Sequence, residues 1–441
     1  MMRKKLLALV LGLTMVTGMF TGCGESSDEK ETGGSAQTEE ETESGEKEKV
    51  VFWYIHSGDE AAAFEKAIAS YNASQDKYEV EGLSVTDKQK IIVAMSGNES
   101  PDIVEVSNQD VITYANNGLV ESLSTMAEDD GFPVDTIFSK QSVECNTLDD
   151  TLYGMPIASM VIQMFYNKDI LEEIGYSEPP ETMEELYEMA VKATEVDDNG
   201  TITRLGYPLF PLASARQELI YAFGGRWWSE DGKTLTPNDP LILESLNMNM
   251  KYREEYDVTK VQEFVATANT NRYTENDMFF TGKQLFRFDG TWLAAMMKNF
   301  NSDVNYGVAL IPSIEADKES QGSSRFETTS LVIPVVAQQK EGAWDFTKYL
   351  SNSEATKDLL IDIANLPAQV ELFDDPDILG QPNFDIFIDA LKRENGVQYA
   401  TITDFAKYVS LIEEHLDYVY NGIQTPEEAM GNLAKQAELL Q

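Results

Sequence analysis

Val50-Val51-Phe52-Trp53-Tyr54-Ile55 is an unbroken run of β-branched and aromatic residues, and Phe64, Ala67, Ile68 and Tyr71 after it recur at i, i+3, i+4 and i+7. A strand therefore feeds a helix with one apolar face. Between them His56-Ser57-Gly58-Asp59 supplies a turn and an N-cap, and Asp59 and Glu60 sit where a helix dipole favours negative charge. The same alternation continues along the chain. Asp102-Ile103-Val104-Glu105-Val106 reads as a second strand, Met160 to Tyr166 as another and Leu331-Val332-Ile333 as another, with helical segments between them. Thr182-Met183-Glu184-Glu185 predicts a capping box, and Thr425-Pro426-Glu427-Glu428 adds proline at the first helical position. Asn199-Gly200 and Asp231-Gly232 predict hairpin turns. Strands alternating with helices make the fold class α/β.

The chain has 441 residues, of which 42% are hydrophobic, enough to build a full core and more than one domain. Its 33 Lys and Arg stand against 76 Asp and Glu, and the resulting net charge of −43 repels phosphate backbones, so no nucleic-acid partner is expected. Two cysteines and two histidines are too few for a zinc cluster or a disulfide framework, and no metal or cofactor is called for.

At the N-terminus Arg3, Lys4 and Lys5 precede an apolar stretch from Leu6 to Phe20 that is too short to span a bilayer. Residues 1–22 thus read as an export signal. Phe20-Thr21-Gly22-Cys23 resembles the lipobox of bacterial lipoproteins, which implies a diacylated Cys23 and a mature protein anchored on the extracytoplasmic face of the cell membrane. From Cys23 to Lys49 the chain is almost entirely small, polar and acidic, the composition of a flexible tether. Cys145 is left as a structural thiol.

Catalytic signatures are missing from the sequence. There is no Gly-x-Ser-x-Gly elbow, His-Glu-x-x-His helix, phosphate loop or dinucleotide fingerprint. His415, in the helical run Ser410 to Tyr420, is expected to be solvated or capping. No pair of carboxylates is singled out by spacing, so an enzyme is not expected.

Met155-Pro156-Ile157-Ala158 leads into Phe165-Tyr166-Asn167-Lys168-Asp169-Ile170-Leu171, then Gly175 and Pro179-Pro180-Glu181-Thr182. In order around it stand Phe52-Trp53, Ser100-Pro101-Asp102-Ile103, Gly118-Leu119-Val120, Gly224-Gly225, Phe288-Asp289-Gly290-Thr291-Trp292, Gly307 to Pro312, Leu366-Pro367-Ala368 and Thr425 to Ala429. This order resembles the family 1 extracellular solute-binding proteins, the substrate-capturing lipoproteins of sugar-type ABC importers, over residues 50 to 441. The resemblance implies a two-lobed periplasmic-binding-protein-like fold of type II, with the ligand cleft between lobes joined by several hinge crossings. The crossings are expected near Pro156, Asp289 and Thr329. They divide the body into an N-terminal lobe, 50–156 plus 289–328, and a C-terminal lobe, 157–288 plus 329–441.

Ligands of open α/β sheets sit outside the carboxyl ends of the strands. That rule selects Tyr54, His56, Ser57 and Asp59 at the first strand, and Ser107 and Asn108, with Gln109, at the second. At the first crossing, where many sugar binders of this family carry a carboxylate, the chain has Ser159 and Met160. Near the third, where the family often has Gly-Gly, Glu327-Thr328-Thr329 stands and would supply a cleft carboxylate. Sugars present a C–H face that stacks on aromatic rings. Asp289, with Ser159, Glu327 and Thr328 at the other crossings, is a ligand-binding candidate; Trp292, following Asp289-Gly290, is the foremost stacking candidate, and one of Trp227 and Trp228 is expected to face the cleft. Trp53 and Trp344 are expected in the core, with Tyr399 and Phe405 as further cleft candidates. Arg216, Arg226 and Arg287 either clamp a ligand carboxylate or form ordinary surface ion pairs.

What the resemblance implies is a monomeric, lipid-anchored binding component of an ABC importer that closes on an oligosaccharide and delivers it to the permease's transmembrane subunits. The alternatives are the same role for a peptide, polyamine or organic anion, an extracellular glycan-active enzyme, or an adhesin.

Overall fold

The computed structural model describes residues 47–97, 99–209, 213–351, 354–402 and 404–440, without the side chains of 213–216. The expected signal peptide, the acylated Cys23 and nearly all of the tether lie outside the described residues. The tether's expected end does not: β1 (Glu48–Tyr54) already begins at Glu48. Lys47 Nζ donates to the carbonyls of Asn72 and Gln75 at 2.5 and 2.7 Å, so the last tether residues belong to the folded body.

Nine strands make two sheets. The first contains β1, β2 (Tyr78–Ser84), β3 (Ile103–Ser107), β4 (Met155–Met160), β8 (Glu327–Val332) and β9 (Leu366–Pro367), and the second β5 (Gln163–Asn167), β6 (Phe286–Asp289) and β7 (Tyr306–Ala309). The larger sheet has the order β9-β4-β8-β3-β1-β2. β1 runs parallel to β2 and β3, whereas β8 is antiparallel to β3 and β4. The smaller sheet has the order β6-β5-β7 and is antiparallel throughout. The expected strand from Met160 to Tyr166 is thus two strands in two sheets, broken at Val161-Ile162.

The opening run behaves as its pattern predicts. Val50, Phe52 and Tyr54 pack with Phe64 and Tyr71 of helix α1 (Gly58–Ser74) in one core cluster, and Trp53 packs on the other face with Val104 and Tyr114. Each such large apolar side chain contributes about 1.5–3 kcal/mol on burial. Both capping boxes form, at Thr182 and Thr425. Asn199-Gly200 joins two short antiparallel strands, Glu195–Val196 and Ile202–Arg204, and Trp228 bridges to Leu235 across the Asp231-Gly232 turn.

The division into lobes departs from the expected one. β8 is inserted between β3 and β4, and helices α2 (Lys340–Ser351) and α3 (Glu354–Asp362) pack on the larger sheet through Trp344, Phe346, Leu350 and Leu359. Buried Asp102 ties this return segment down, accepting from the backbone N–H groups of Val51, Gln338 and Gln339, each at 2.9 Å. Residues 329–367 therefore belong to the first lobe. Residues 289–309 belong to the second, because β6 and β7 flank β5 and the intervening helix packs its Leu293 and Met297 beside Phe165 and Phe279. The chain crosses at Val161-Ile162, again between Ala309 and Glu327, and a third time after Pro367. The expected crossing at Asp289 is absent, since Asp289 ends a strand interior to the second lobe. Helix Phe384–Lys392 packs against both β9 and β5, giving the lobes a shared apolar cluster around Phe326, Phe373 and Phe387. His415 is also corrected. It is 2% exposed, on the buried face of helix Phe405–Tyr420, with Nε2 3.0 Å from Gln436 Nε2.

Candidate functional site

β1 and β3 end side by side, and their last residues carry the first group of polar side chains. His56 stands at the end of β1 with Nδ1 2.7 Å from Glu60 Oε2 and Nε2 3.2 Å from Glu105 Oε1. Glu105 is wholly buried, and its other oxygen accepts from the backbone N–H of Ile55 at 2.8 Å. Burial alone would lower the imidazole's pKa, but hydrogen bonds to Glu105 and Glu60 outweigh it and push it up from 6.5 to about 10. A raised folded-state pKa gives stability that is complete below the unfolded value and lost as pH rises through the folded one. Thermal melts of His56→Gln should therefore lie furthest below the wild type near pH 6 and converge on it towards pH 10. A constant difference across that window would contradict the charged assignment.

Of the other residues in this group, Ser57 at the N-cap and Asp59 in the first turn of α1 are exposed, and Ser57 makes no capping hydrogen bond. Ser107 is half-buried and donates to Asp110 Oδ2 at 3.0 Å. Four expected ligand residues turn inward instead. Tyr54 donates to Glu65 at 2.5 Å and stacks on Phe64 in the core. Asn108 is buried and accepts from Thr328 N at 3.1 Å; Thr328 Oγ1 accepts from Asn146; and Ser159 Oγ lies 3.1 Å from Ser142 Oγ. These side chains staple β8 and β4 to their neighbours, so their polarity is spent on the scaffold.

The hinge carries a second polar group. Arg325, just before β8, lies 3.2 Å from Glu327 and receives Glu218 from helix Ala213–Ala222 of the second lobe, whose Oε2 accepts from Arg325 N at 2.9 Å. Burial pushes the Glu218 carboxyl up to about 7 against the opposing field of Arg325. Tyr399 donates to Glu327, so the expected cleft carboxylate is held by two partners of the hinge.

The third group surrounds Trp292, the first residue of helix Trp292–Asn299. Asp289 is 1% exposed and lies among cations: Arg287 Nε donates to it at 2.8 Å, and Arg272 lies 3.5 Å away. Arg287 is also bound to Asp277 at 2.7 Å, so it is a buried ion-paired residue rather than a surface one. Asp289 does not present its carboxylate to a ligand; it holds Tyr273, whose hydroxyl donates to it at 2.8 Å and accepts from Trp292 Nε1 at 2.7 Å. Trp292 itself remains half-buried. Its neighbour Thr291 donates to the carbonyl of Ala364 in the first lobe at 2.5 Å, so this helix begins at a contact between the lobes, while the indole packs on the core cluster of the second lobe.

A groove of about 1650 Å³ also opens between the lobes, lined by Lys140, Glu144, Arg226, Trp228, Gln398 and Tyr399 among others. None of His56, Ser107, Asp289 or Trp292 lines it, so the strand ends and the groove are separate surfaces. Trp228 borders it while donating to Gln398 O at 2.9 Å, edge-on to Phe405. Both members of the pair are buried in one core cluster, Trp227 fully and Trp228 at 4% exposure, and only Trp228 reaches the groove lining. Arg226 bonds the carbonyl of Gly225 and Ser323 Oγ. The side chain of Arg216 lies outside the described residues. Among the described residues no cluster of His, Cys, Asp and Glu could hold a metal ion, and no helix is long and apolar enough to cross a membrane. Sequence reasoning passed over Tyr273 and Glu218, which carry no motif; only the buried charges near them reveal their roles.

Residues 56–357 match the model of the bacterial extracellular solute-binding protein family. The chain is 26% identical over 339 residues to the maltotriose-binding protein of Pyrococcus abyssi, covering 76% of this chain and 69% of that protein. It is 23% identical to the galactooligosaccharide-binding protein of Bacillus subtilis, over 63% of each. Among solved structures it is similar to CpMnBP1 with mannotriose bound, with a TM-score of 0.76 and 21% identity over 89% of this chain and all of that one. It is also similar to the sugar-binding protein MalE of Xanthomonas citri, with a TM-score of 0.73 and 18% identity over 89% of this chain and 97% of that one. At such identities the structural likeness speaks for the fold, a two-lobed α/β architecture. With the family model spanning more than half of its length, the chain belongs to the bacterial extracellular solute-binding protein family.

Proposed function

We propose that this protein is the ligand-capturing component of an ABC importer and that its ligand is an oligosaccharide, enclosed as the two lobes close. The observation that carries this reading is the half-buried indole of Trp292, next in the chain to Thr291, which bonds Ala364 of the other lobe. An aromatic ring there suits the C–H face of a sugar, and the polar strand ends at His56, Ser57 and Ser107 suit its hydroxyls. The names of the relatives support a glycan ligand. The protein acts by binding and release, without chemistry, and the closed form is the one that docks on the permease. Acylation of Cys23 would keep a monomeric body on the extracytoplasmic face of the membrane.

A thermal-shift panel of mono- and oligosaccharides, with peptides and polyamines alongside, tests the ligand class. A ligand at 100 times its Kd adds about 2.7 kcal/mol of stability, a readable rise in Tm. The expected result is a shift confined to one class of glycan. A shift with peptides or polyamines alone would overturn the sugar assignment and leave the importer role.

A further inference from the structure

We infer that Tyr273 is a positioning residue for ligand capture: its hydroxyl fixes the plane of the Trp292 indole. The inference rests on the reading of Trp292 as the sugar-stacking ring. A phenol hydroxyl has one hydrogen to donate and two lone pairs with which to accept. Asp289 Oδ1, 2.8 Å away, is an acceptor, so the hydrogen points there. Trp292 Nε1 at 2.7 Å and Arg272 Nη2 at 2.6 Å are donors, so both lone pairs are occupied. The hydroxyl is saturated and has one orientation. Asp289 is fixed in turn by Arg287, which is itself fixed by Asp277, so the anchor of the indole reaches four residues into the second lobe.

Two further observations point the same way. Tyr273 has a φ of +54°, a left-handed backbone that a tyrosine rarely adopts, and it is retained because its surroundings over-determine it. Its backbone N–H donates to Asp277 Oδ2 at 2.9 Å, and its ring is overlain by the guanidinium groups of Arg272 at 4.3 Å and Arg287 at 5.1 Å. On the other side, any Cβ at Gly290 would overlap the six-membered ring of Trp292, so the glycine lets the indole settle against the backbone. Pinned at its N–H and backed by Gly290, the ring is ordered before ligand arrives, and binding then loses little of its freedom. Asp289, expected to touch the ligand, acts through Tyr273.

The test uses full-length protein labelled with 5-fluorotryptophan. The ¹⁹F resonance of Trp292 is identified by its loss in Trp292→Phe. In Tyr273→Phe, which keeps the ring between the two arginines and removes only the hydroxyl, that resonance should shift and broaden while those of the other four tryptophans stay in place. An unchanged resonance would overturn the positioning role with no ligand present. Binding supplies the second arm, by calorimetry with maltotriose and mannotriose. Tyr273→Phe should weaken binding about five- to ten-fold, the worth of one hydrogen bond. The same change made in Trp292→Phe, which has no indole N–H to fix, should cost nothing further. Losses that multiply would overturn the proposal. Asp289→Asn, which removes the charge that orients the hydroxyl and keeps the Trp292 resonance, stands in if Tyr273→Phe fails to fold. If neither trisaccharide binds the wild type, the carbohydrate reading suffers, and the ¹⁹F arm still decides for or against Tyr273.

Discussion

Trp292→Ala is expected to weaken glycan binding about thirty-fold or more, because truncating a tryptophan at the centre of a binding surface typically costs at least about 2 kcal/mol. The effect should exceed that of Tyr273→Phe, which leaves the ring in place and frees only its orientation. Titration calorimetry with the glycan selected by the thermal-shift panel measures it directly. A loss under about three-fold would mean that the sugar stacks elsewhere, with Trp228 at the rim of the groove the next ring to replace.

Arg287→Met is expected to have the largest effect on stability. Arg287 is 2% exposed, and its partners Asp277 and Asp289 are 2% and 1% exposed, so its removal strips two carboxylates, both away from water, of the guanidinium they share. Breaking a buried pair from one side costs about 3–5 kcal/mol. Urea denaturation of the wild type and variant reads this as a fall in midpoint. Replacing Arg287, Asp277 and Asp289 together with apolar residues of similar volume should cost less than removing Arg287 alone, since the buried carboxylates go with it and Arg272, the cation left behind, keeps 16% exposure to water. If the single variant kept its midpoint, the network would not be the anchor that holds Tyr273 and Trp292.

The parts of the fold that were legible in the sequence are those whose cause is local. Val50–Ile55 and the spacing of Phe64, Ala67, Ile68 and Tyr71 declare a strand and a helix because neighbours in sequence share a face. Thr182 and Thr425 form their boxes because both partners lie within one turn. The lobe boundaries were not legible, because β8 pairs with β3 and β4 more than 160 residues away and nothing local in Glu327–Val332 names those partners. An apolar run from Met160 to Tyr166 likewise hides a change of sheet.

The site was half legible for a related reason. A strand-end rule selects positions and does not tell which way a side chain turns. It selected His56, Ser57 and Ser107, whose side chains stay at least partly exposed, and it also took in Tyr54, Asn108, Ser159 and Thr328, whose polar atoms are used between elements. His415 had a usable signal, since Tyr408, Ile412, Leu416 and Val419 recur on the face that it shares and that face is buried. Trp227 and Trp228 had none, being adjacent and both buried in one cluster, with only Trp228 reaching the edge of the groove. Tyr273 could not be found before the buried charges around Asp289 were seen together.

Capture by closure requires the lobes to move about the crossings at Val161-Ile162, between Ala309 and Glu327, and after Pro367. Small-angle X-ray scattering from Lys47–Gln441, with and without the glycan that raises its melting temperature, reads that movement. The radius of gyration should fall when the glycan is saturating, with no contraction on adding a sugar that gives no thermal shift. Saturated binding with unchanged scattering would contradict closure as the mode of capture.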